Sequence, residues 1–335
     1  MKKELFLIAI SILFFYLIST TGLDRISELA EIPLAGMGSM SLENKHKNDE
    51  QELSIKITER LRFELPKGTH ELRIWIPLPA TDKHQRIESL QIKSPWAYSI
   101  INDPEFGNKI LFIQIDNTSP EKTRTKSQHV SSGEIKWEYQ IERRGQHGYS
   151  VDEGSTISNQ LYLRERGLEI IDDRIREIAK TVTNNISDPL EKAGALYHYV
   201  LTHVDYDTSV PGWGRGDVAY ACDIGKGNCT DFHSLFISLS RAAGIPARFQ
   251  IGYPVPVEEN SGRLLKPYHC WAEFFIVGKG WTPVDISEAW KHPEKTEYYF
   301  GNIDKDRILI STGREIRLSP DKSEGTTLNY FVKLY

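Results

Sequence analysis

The stretch Gly-Asn-Cys-Thr-Asp-Phe-His-Ser-Leu-Phe, residues 227–236, decides the fold of the C-terminal half of the chain because it starts a helix. Asn228 is a favourable N-cap, and Asp231 falls at the third helical position, where acidic residues are common. Apolar residues then recur at helical spacing until Gly244, and they are Phe232, Leu235, Phe236, Leu239, Ala242 and Ala243. Cys229 is therefore predicted to be the first residue of an amphipathic helix.

This position favours the thiolate form of Cys229. The first N–H groups of a helix have no intrahelical partner, and the positive end of the helix dipole attracts an anion. A neighbouring imidazolium strengthens the effect, and such pairs can lower a thiol pKa from about 8.5 to roughly 3–4. Cys229 is therefore a candidate nucleophile.

Two strand-like segments downstream carry the polar partners of such a nucleophile, His269 and Asp285. Residues 268–277 are rich in aromatic and β-branched side chains, residues 278–280 read Gly-Lys-Gly, and residues 281–285 resume a strand pattern. A hairpin with this turn brings positions near 269 and 285 roughly side by side. The Asp285 carboxylate can then fix the tautomer of His269 and stabilise its charged form.

Four motifs follow one another between about residues 188 and 289. They are Gly-x-Cys-x-Asp (227–231), Ala-Gly-Ile-Pro-Ala-Arg (243–248), His-x-Trp-x-Glu (269–273) and Trp-x-x-Val-Asp (281–285). In this order they resemble the bacterial transglutaminase-like superfamily, whose core has the papain-type order of Cys, His and Asp. The resemblance implies an α+β core over residues 168–335. It also implies that Cys229 is the nucleophile, His269 the general base and Asp285 the third member of a triad.

Cys270 departs from this pattern, because a small residue such as Ala is expected after the histidine. Neighbouring strand residues point to opposite faces, so the Cys270 thiol is expected to face away from the site. The chain has three cysteines, an odd and scattered set that does not form a disulfide framework. A Cys222–Cys270 bridge remains an alternative in an exported protein.

Two other interpretations of Cys229 remain open. A buried cysteine at a helix start is often only a small core residue. Cys229 and His233 also stand four residues apart on one helical face, a spacing that can hold zinc with His269, Cys222 or Cys270 as further ligands. No Cys-x-x-Cys pair is present, and His233 fits a position beneath the site, so we assign no metal or other cofactor.

An acyl-transfer site also needs donors directed at the oxyanion. The backbone N–H of Cys229 is the natural first donor, and the resemblance implies that a side chain upstream of the nucleophile supplies a second. Tyr206 and Trp213 are the candidates, with Tyr220 as a third. Tyr206 is favoured because it follows a well-defined helix that begins at residue 188, although a tyrosine that only caps this helix fits equally well.

The N-terminal residues 1–23 read as a signal peptide or a membrane anchor. An unbroken apolar run over residues 5–18 follows Lys2 and Lys3, and the positive-inside rule places the rest of the chain outside the cytoplasm. Residues 24–50 read as a polar tether. The predicted location is therefore extracytoplasmic, in the periplasm or at the cell surface, with a single N-terminal anchor if the segment is retained.

Residues 51–150 show the pattern of a β domain. Leu72, Ile74 and Ile76 alternate with Arg73 and Trp75, apolar and polar residues alternate from 135 to 141, and residues 110–115 are a short apolar run. Several short strands at this spacing predict a β-sandwich of immunoglobulin-like type. Glycines punctuate residues 145–168, where we place the boundary to the core domain.

Composition narrows the possible classes of function. The net charge of −5 and the interspersed charges leave no basic surface for nucleic acid, so the expected partner is a peptide or protein substrate. The predicted activity is cysteine-dependent acyl transfer on amide bonds, with hydrolysis favoured because the polar, glycine-rich approach at residues 212–217 indicates an open, wet cleft. Residues 212–216 are a candidate for a flexible substrate lip, although glycine-rich loops are often only turns. The alternatives are a cross-linking transglutaminase and a non-catalytic cell-surface binding protein.

Overall fold

The computed structural model describes residues 52–116, 131–149, 159–255, 268–318 and 327–331, which all belong to one compact unit. The predicted signal peptide or anchor at 1–23 and the tether at 24–50 lie outside these residues. Within the described ranges, no helix is long and apolar enough to cross a membrane.

The N-terminal region is built from antiparallel strands, as the alternating pattern predicts. They are β1 (Leu53–Glu64), β2 (Glu71–Leu78), β3 (Gln85–Lys93), β4 (Tyr98–Asn102), β5 (Lys109–Asp116), β6 (Ser132–Arg143) and the short β7 (Gln146–His147). One three-stranded sheet has the order β1-β6-β3 and another has the order β2-β5-β4. Buried residues of both sheets, among them Ile76 and Trp137, share one hydrophobic core. The immunoglobulin-like type of this arrangement remains a prediction.

The C-terminal region places helices before and against an antiparallel sheet, which is an α+β arrangement. Its elements are α1 (Asp173–Val182), α2 (Pro189–His203), β8 (Asp205–Tyr206), α3 (Val218–Ile224), β9 (Lys226–Gly227), α4 (Cys229–Ala242), β10 (Ala247–Pro254), β11 (His269–Ile276), β12 (Gly280–Val284), α5 (Ile286–Lys291), β13 (Asn302–Ile303), β14 (Arg307–Thr312), β15 (Ile316–Arg317) and β16 (Thr327–Leu328). The main sheet has the order β12-β11-β10-β14. Helix α4 packs on this sheet. The rings of Phe236 and Phe274 meet edge to face, with their centroids 6.1 Å apart.

The two regions are joined by buried contacts. Tyr253 of β10 donates its hydroxyl to Glu59 of β1 at 3.1 Å, and the Gln85 side chain forms two hydrogen bonds with the backbone of Leu309. Ile308 of β14 lies in the same hydrophobic core as the N-terminal strands. The division into a β domain at 51–150 and a core domain at 168–335 remains a prediction, and the contacts show that the two segments share a core.

Candidate active site

Cys229 is the first residue of α4, as the sequence predicts. Asn228 caps the helix by accepting a 2.8 Å hydrogen bond from the N–H of Thr230. In return, the Asp231 side chain accepts a 2.9 Å hydrogen bond from the N–H of Asn228, which completes a capping box. The Cys229 residue is 3% exposed. Its sulfur therefore lies at the positive end of a well-capped helix, almost out of contact with solvent.

His269 and Asp285 meet through their side chains. His269 is the first residue of β11, and its Nε2 lies 2.6 Å from Asp285 Oδ2. The last pair of the β11–β12 ladder joins Ala272 to Val284, so Asp285 directly follows the paired strand. Positions near 269 and 285 thus lie roughly side by side, as the sequence predicts. The contact forms because Asp285 leaves the strand to cap α5, which directs its carboxylate at the imidazole.

The other contacts of Asp285 hold its carboxylate in place. Its Oδ1 accepts hydrogen bonds from Ser287 Oγ and from the N–H of Glu288, both at 3.1 Å. Arg307 Nε lies 3.8 Å from its Oδ2. Burial alone would raise the pKa of Asp285, but the charge and hydrogen bond of His269 and the charge of Arg307 hold this pKa well below its usual range. Asp285 is therefore an anion that orients His269.

Cys229 and His269 form the second contact of the site, after that between His269 and Asp285. The thiol interacts with the imidazole, whose Nε2 is already engaged by Asp285. Burial lowers the pKa of His269, but Asp285 outweighs burial and raises this pKa to about 9. The pKa of Cys229 is held well below its usual range by hydrogen bonding with Cys270 and by the hydrogen bond and charge of His269. These interactions outweigh burial, which alone would raise this pKa. A thiolate–imidazolium pair is therefore the favoured state near neutral pH.

Cys270 lies beside the start of α4, so the expectation that its thiol faces away from the site is wrong. Its sulfur lies 3.6 Å from Thr230 Oγ1, and its side chain interacts with that of Cys229. The strand alternation itself holds, since Cys270 shares a face with Phe274. That face is the one covered by α4, and the first residue of α4 is Cys229.

His233 binds backbone groups with both ring nitrogens. Its Nδ1 lies 2.6 Å from the carbonyl oxygen of Cys229, and its Nε2 accepts a 3.0 Å hydrogen bond from the N–H of Ile286. Burial lowers the pKa of His233, which is consistent with a neutral ring whose Nδ1–H donates. The ring thus joins the start of α4 to the start of α5 and has no lone pair left for zinc. Over the described ranges, no cluster of His, Cys, Asp and Glu with metal-site geometry is found.

Cys222 is remote from these groups. It lies in α3, where its carbonyl oxygen accepts a 3.2 Å hydrogen bond from Arg174. All three cysteines are free. The Cys222–Cys270 bridge is therefore absent, because Cys270 turns its sulfur towards the first turn of α4.

The oxyanion candidates are placed differently from one another. Tyr206 lies beside Gly227, two residues before the nucleophile, in a parallel pairing of β8 with β9. Burial and then the nearby Cys229 raise the pKa of its hydroxyl. Trp213 is 42% exposed, and Tyr220 donates its hydroxyl to the carbonyl of Val210 at 3.3 Å. Of the three, Tyr206 is the candidate that lies in the β8–β9 pair directly before α4 and whose pKa responds to the charge of Cys229.

Hydrogen bonds anchor the glycine-rich loop before the α4 helix, and a substrate lip at residues 212–216 stays a prediction. Asp231 accepts hydrogen bonds from the N–H of Gly214 at 2.7 Å and from the N–H of Gly216 at 3.0 Å. Buried Arg314 donates to the carbonyls of Gly216 and Arg215 at 2.9 and 2.7 Å. One acidic side chain thus caps the catalytic helix and anchors the loop beside it.

Sequence reasoning missed Tyr268, Arg307 and Arg314. Tyr268 Oη accepts a 3.1 Å hydrogen bond from the side chain of Asn228, the cap of α4. Its place directly before His269 was a signal that could have been used. Arg307 binds the adjacent Asp306, but nothing near it in sequence indicates its approach to Asp285, and the loop partners of Arg314 lie about a hundred residues before it.

Comparison with known proteins agrees with this geometry. Residues 176–286 match the model of the transglutaminase-like superfamily, and this range contains Cys229, His269 and Asp285. An uncharacterized protein of Haemophilus influenzae is 27% identical over 300 residues, which cover 79% of this chain and 80% of the relative. These residues therefore form a transglutaminase-like core, the class to which the site belongs.

Two solved structures are similar to the chain. A protein of Cytophaga hutchinsonii that is proposed to be a cysteine protease has a TM-score of 0.52 at 15% identity, over 78% of this chain and 84% of that one. It shares the fold. The periplasmic domain of TgpA from Pseudomonas aeruginosa has a TM-score of 0.37 at 18% identity, over 70% of this chain and 75% of that one.

Proposed function

We infer that the chain is a cysteine-dependent hydrolase of amide bonds in peptides or proteins, which acts through a thioester. The observation that carries this proposal is the 2.6 Å contact between His269 Nε2 and Asp285, which leaves the other imidazole nitrogen for the sulfur of Cys229. Nucleophile, base and orienting carboxylate are the three groups that thiol-dependent acyl transfer requires.

The first half-reaction forms the thioester. The Cys229 thiolate attacks the amide carbonyl carbon, and the backbone N–H of Cys229 and the hydroxyl of Tyr206 donate to the oxyanion. The His269 imidazolium then gives its proton to the leaving nitrogen as the carbon–nitrogen bond breaks. Asp285 stabilises the imidazolium until that transfer occurs.

Water is the proposed acceptor in the second half-reaction. His269, now neutral, takes a proton from a water molecule, whose oxygen attacks the thioester and releases the acid. A cross-linking enzyme would instead need an apolar tunnel for a lysine side chain that keeps water away from the thioester. Trp271 and Trp281 are 2% and 4% exposed, and Trp281 packs under Arg248 at 4.0 Å, so neither presents such a wall.

The proposed location is outside the cytoplasm. Its support is the pair Lys2 and Lys3 ahead of the uncharged run over residues 5–23. A reporter that is active only outside the cytoplasmic membrane, fused after residue 50, is expected to be active. Activity from a cytoplasm-specific reporter alone would overturn export.

The activity is tested with a peptide mixture and mass analysis of the products. We expect products that have gained one water, and little diversion when a labelled primary amine is added. Cys229→Ala should abolish turnover, whereas Cys222→Ala, which removes a buried thiol remote from the site, should retain it. Equal turnover by Cys229→Ala would refute the proposal, and transfer of most acyl groups to the amine would identify a transglutaminase instead.

A further inference from the structure

Cys270 is a buried thiol that the proposed reaction does not use. Its sulfur lies 3.6 Å from Thr230 Oγ1 and 3.9 Å from His233 Nδ1. Thr230 directly follows Cys229 in α4, and His233, one turn further along, binds the carbonyl oxygen of Cys229 at 2.6 Å. The Cys270 sulfur therefore lies beside the start of α4, where its side chain interacts with that of Cys229.

We propose that Cys229 and Cys270 form a reversible disulfide when a hydroperoxide oxidises the site, with Cys229 as the oxidised thiolate and Cys270 as the resolving thiol. The pair is then a modification site in which the same sulfur serves as nucleophile and oxidant sensor. Loss of activity on oxidation rests on the proposed function. Formation of the bond rests on the contact between the two side chains alone.

The order of the two steps follows from the state of each sulfur. Thiolates react with peroxides and thiols do not, so the cysteine at the helix start reacts first. Burial and the hydrogen bond with Cys229 hold the pKa of Cys270 well above its usual range, so this residue stays a thiol until the second step. Burial likewise raises the pKa of Cys222 to about 12.

In the first step the Cys229 thiolate attacks one oxygen of the peroxide. The oxygen–oxygen bond breaks, hydroxide leaves and takes a proton from the His269 imidazolium, and Cys229 becomes a sulfenic acid. In the second step the Cys270 sulfur attacks the Cys229 sulfur, the sulfur–oxygen bond breaks, and the departing hydroxide takes the Cys270 proton. Hydrogen peroxide is reduced to two waters while the two cysteines lose two electrons and form the disulfide.

The geometry also explains why Cys222 takes no part. It lies in α3, where Arg174 binds its carbonyl oxygen, and the sulfur that contacts Cys229 belongs to Cys270. A disulfide requires its sulfur atoms to approach to about 2 Å, so contact in the reduced protein selects the partner. Cys222 therefore serves as a matched control, a second buried thiol of the same chain outside the pair.

The test uses the full-length protein, treated with hydrogen peroxide and then alkylated under denaturing conditions. Two of the three free thiols should disappear and return after treatment with dithiothreitol. Digestion without reductant should yield a cross-linked pair of peptides that contain Cys229 and Cys270, with Cys222 alkylated. A sulfinic acid at Cys229 beside an alkylated Cys270 would overturn the proposal.

Two variants sharpen this test. Cys270→Ser should give no cross-linked pair, and its Cys229 should proceed to sulfinic acid, which dithiothreitol does not reverse. Cys222→Ser should behave as the unchanged protein does. If Cys270→Ser does not fold, the peptide map of the unchanged protein still decides whether the disulfide forms. The mass readout needs no substrate, so an inactive protein that forms the bond refutes only the proposed function, and an active protein that never forms it refutes only this inference.

Discussion

Asp285 binds His269 Nε2 through one carboxylate oxygen, at 2.6 Å, and uses the other oxygen to cap α5. The cap fixes the direction of the carboxylate before any substrate arrives. Because the group is fully buried, its charge acts on the imidazole with little screening from solvent.

Asp285→Asn should reduce kcat by about 10²–10⁴-fold, because the amide cannot stabilise the imidazolium and favours the wrong tautomer. The pKa of His269, raised to about 9 in the unchanged protein, should fall in the variant. Titration by NMR and steady-state kinetics measure the two effects. Ser287→Ala is the matched control, since it removes only a hydroxyl that donates to the oxygen facing away from His269. An unchanged His269 pKa in Asp285→Asn would contradict the ion pair.

Cys229 should be alkylated at mildly acid pH far faster than Cys222 or Cys270, because it alone is a thiolate there. His269→Ala should remove this selectivity. Mass analysis of tryptic peptides after a short exposure to iodoacetamide gives the three rates separately. Equal labelling of the three cysteines in the folded protein would refute an activated thiol.

Turnover should fall as the pH rises through about 9, because His269 then loses the proton that the leaving nitrogen requires. The same ionisation affects stability. The folded-state pKa of His269 lies above its unfolded value of 6.5, so its stabilising contribution is complete below about 6.5 and is lost as the pH approaches and passes 9. Measurements of Tm across this range should show a decline that His269→Ala lacks. A parallel decline of Tm in both proteins would show that ionisable groups other than His269 cause it.

Tyr206→Phe should lower kcat by about 10²–10³-fold with little change in KM, because an oxyanion donor acts mainly in the transition state. Tyr220→Phe is the matched control, since the Tyr220 hydroxyl donates to the carbonyl of Val210. Steady-state kinetics on one peptide substrate compares the two variants. A rise in KM alone for Tyr206→Phe would indicate substrate binding rather than oxyanion stabilisation.

Gly216→Ala should destabilise the protein by about 1–3 kcal/mol, because residue 216 has a φ of +61° and a Cβ there would come within 2.5 Å of Ser234 Oγ and even closer to Arg314. Gly68→Ala is the matched control, with a φ of +84° but no atom within 4 Å of the added Cβ. Denaturant unfolding measures both. Equal losses of stability in the two variants would mean that the close contacts of the added Cβ with Ser234 and Arg314 contribute nothing.

Local signals were enough to predict the elements of the site. The cap residues Asn228 and Asp231 define the start of α4, and Gly278 and Gly280 define the hairpin turn, so both could be read from adjacent residues. The alternation of apolar residues likewise identified the strands of the N-terminal region. The same turn brings positions near 269 and 285 roughly side by side, since the β11–β12 ladder ends at the pair of Ala272 with Val284, directly before Asp285.

The sequence by itself determined that a cysteine begins a capped helix and that a histidine and an aspartate flank the following hairpin. Only the tertiary structure decided that Cys270 contacts Cys229, that Asp231 and Arg314 anchor the loop, and that Arg307 lies beside Asp285. Strand alternation states which side chains share a face, but which face a helix covers depends on the packing of α4 against the sheet. The buried arginines were hidden for a related reason, since burying a charge is favourable only beside partners that the fold brings from distant parts of the chain.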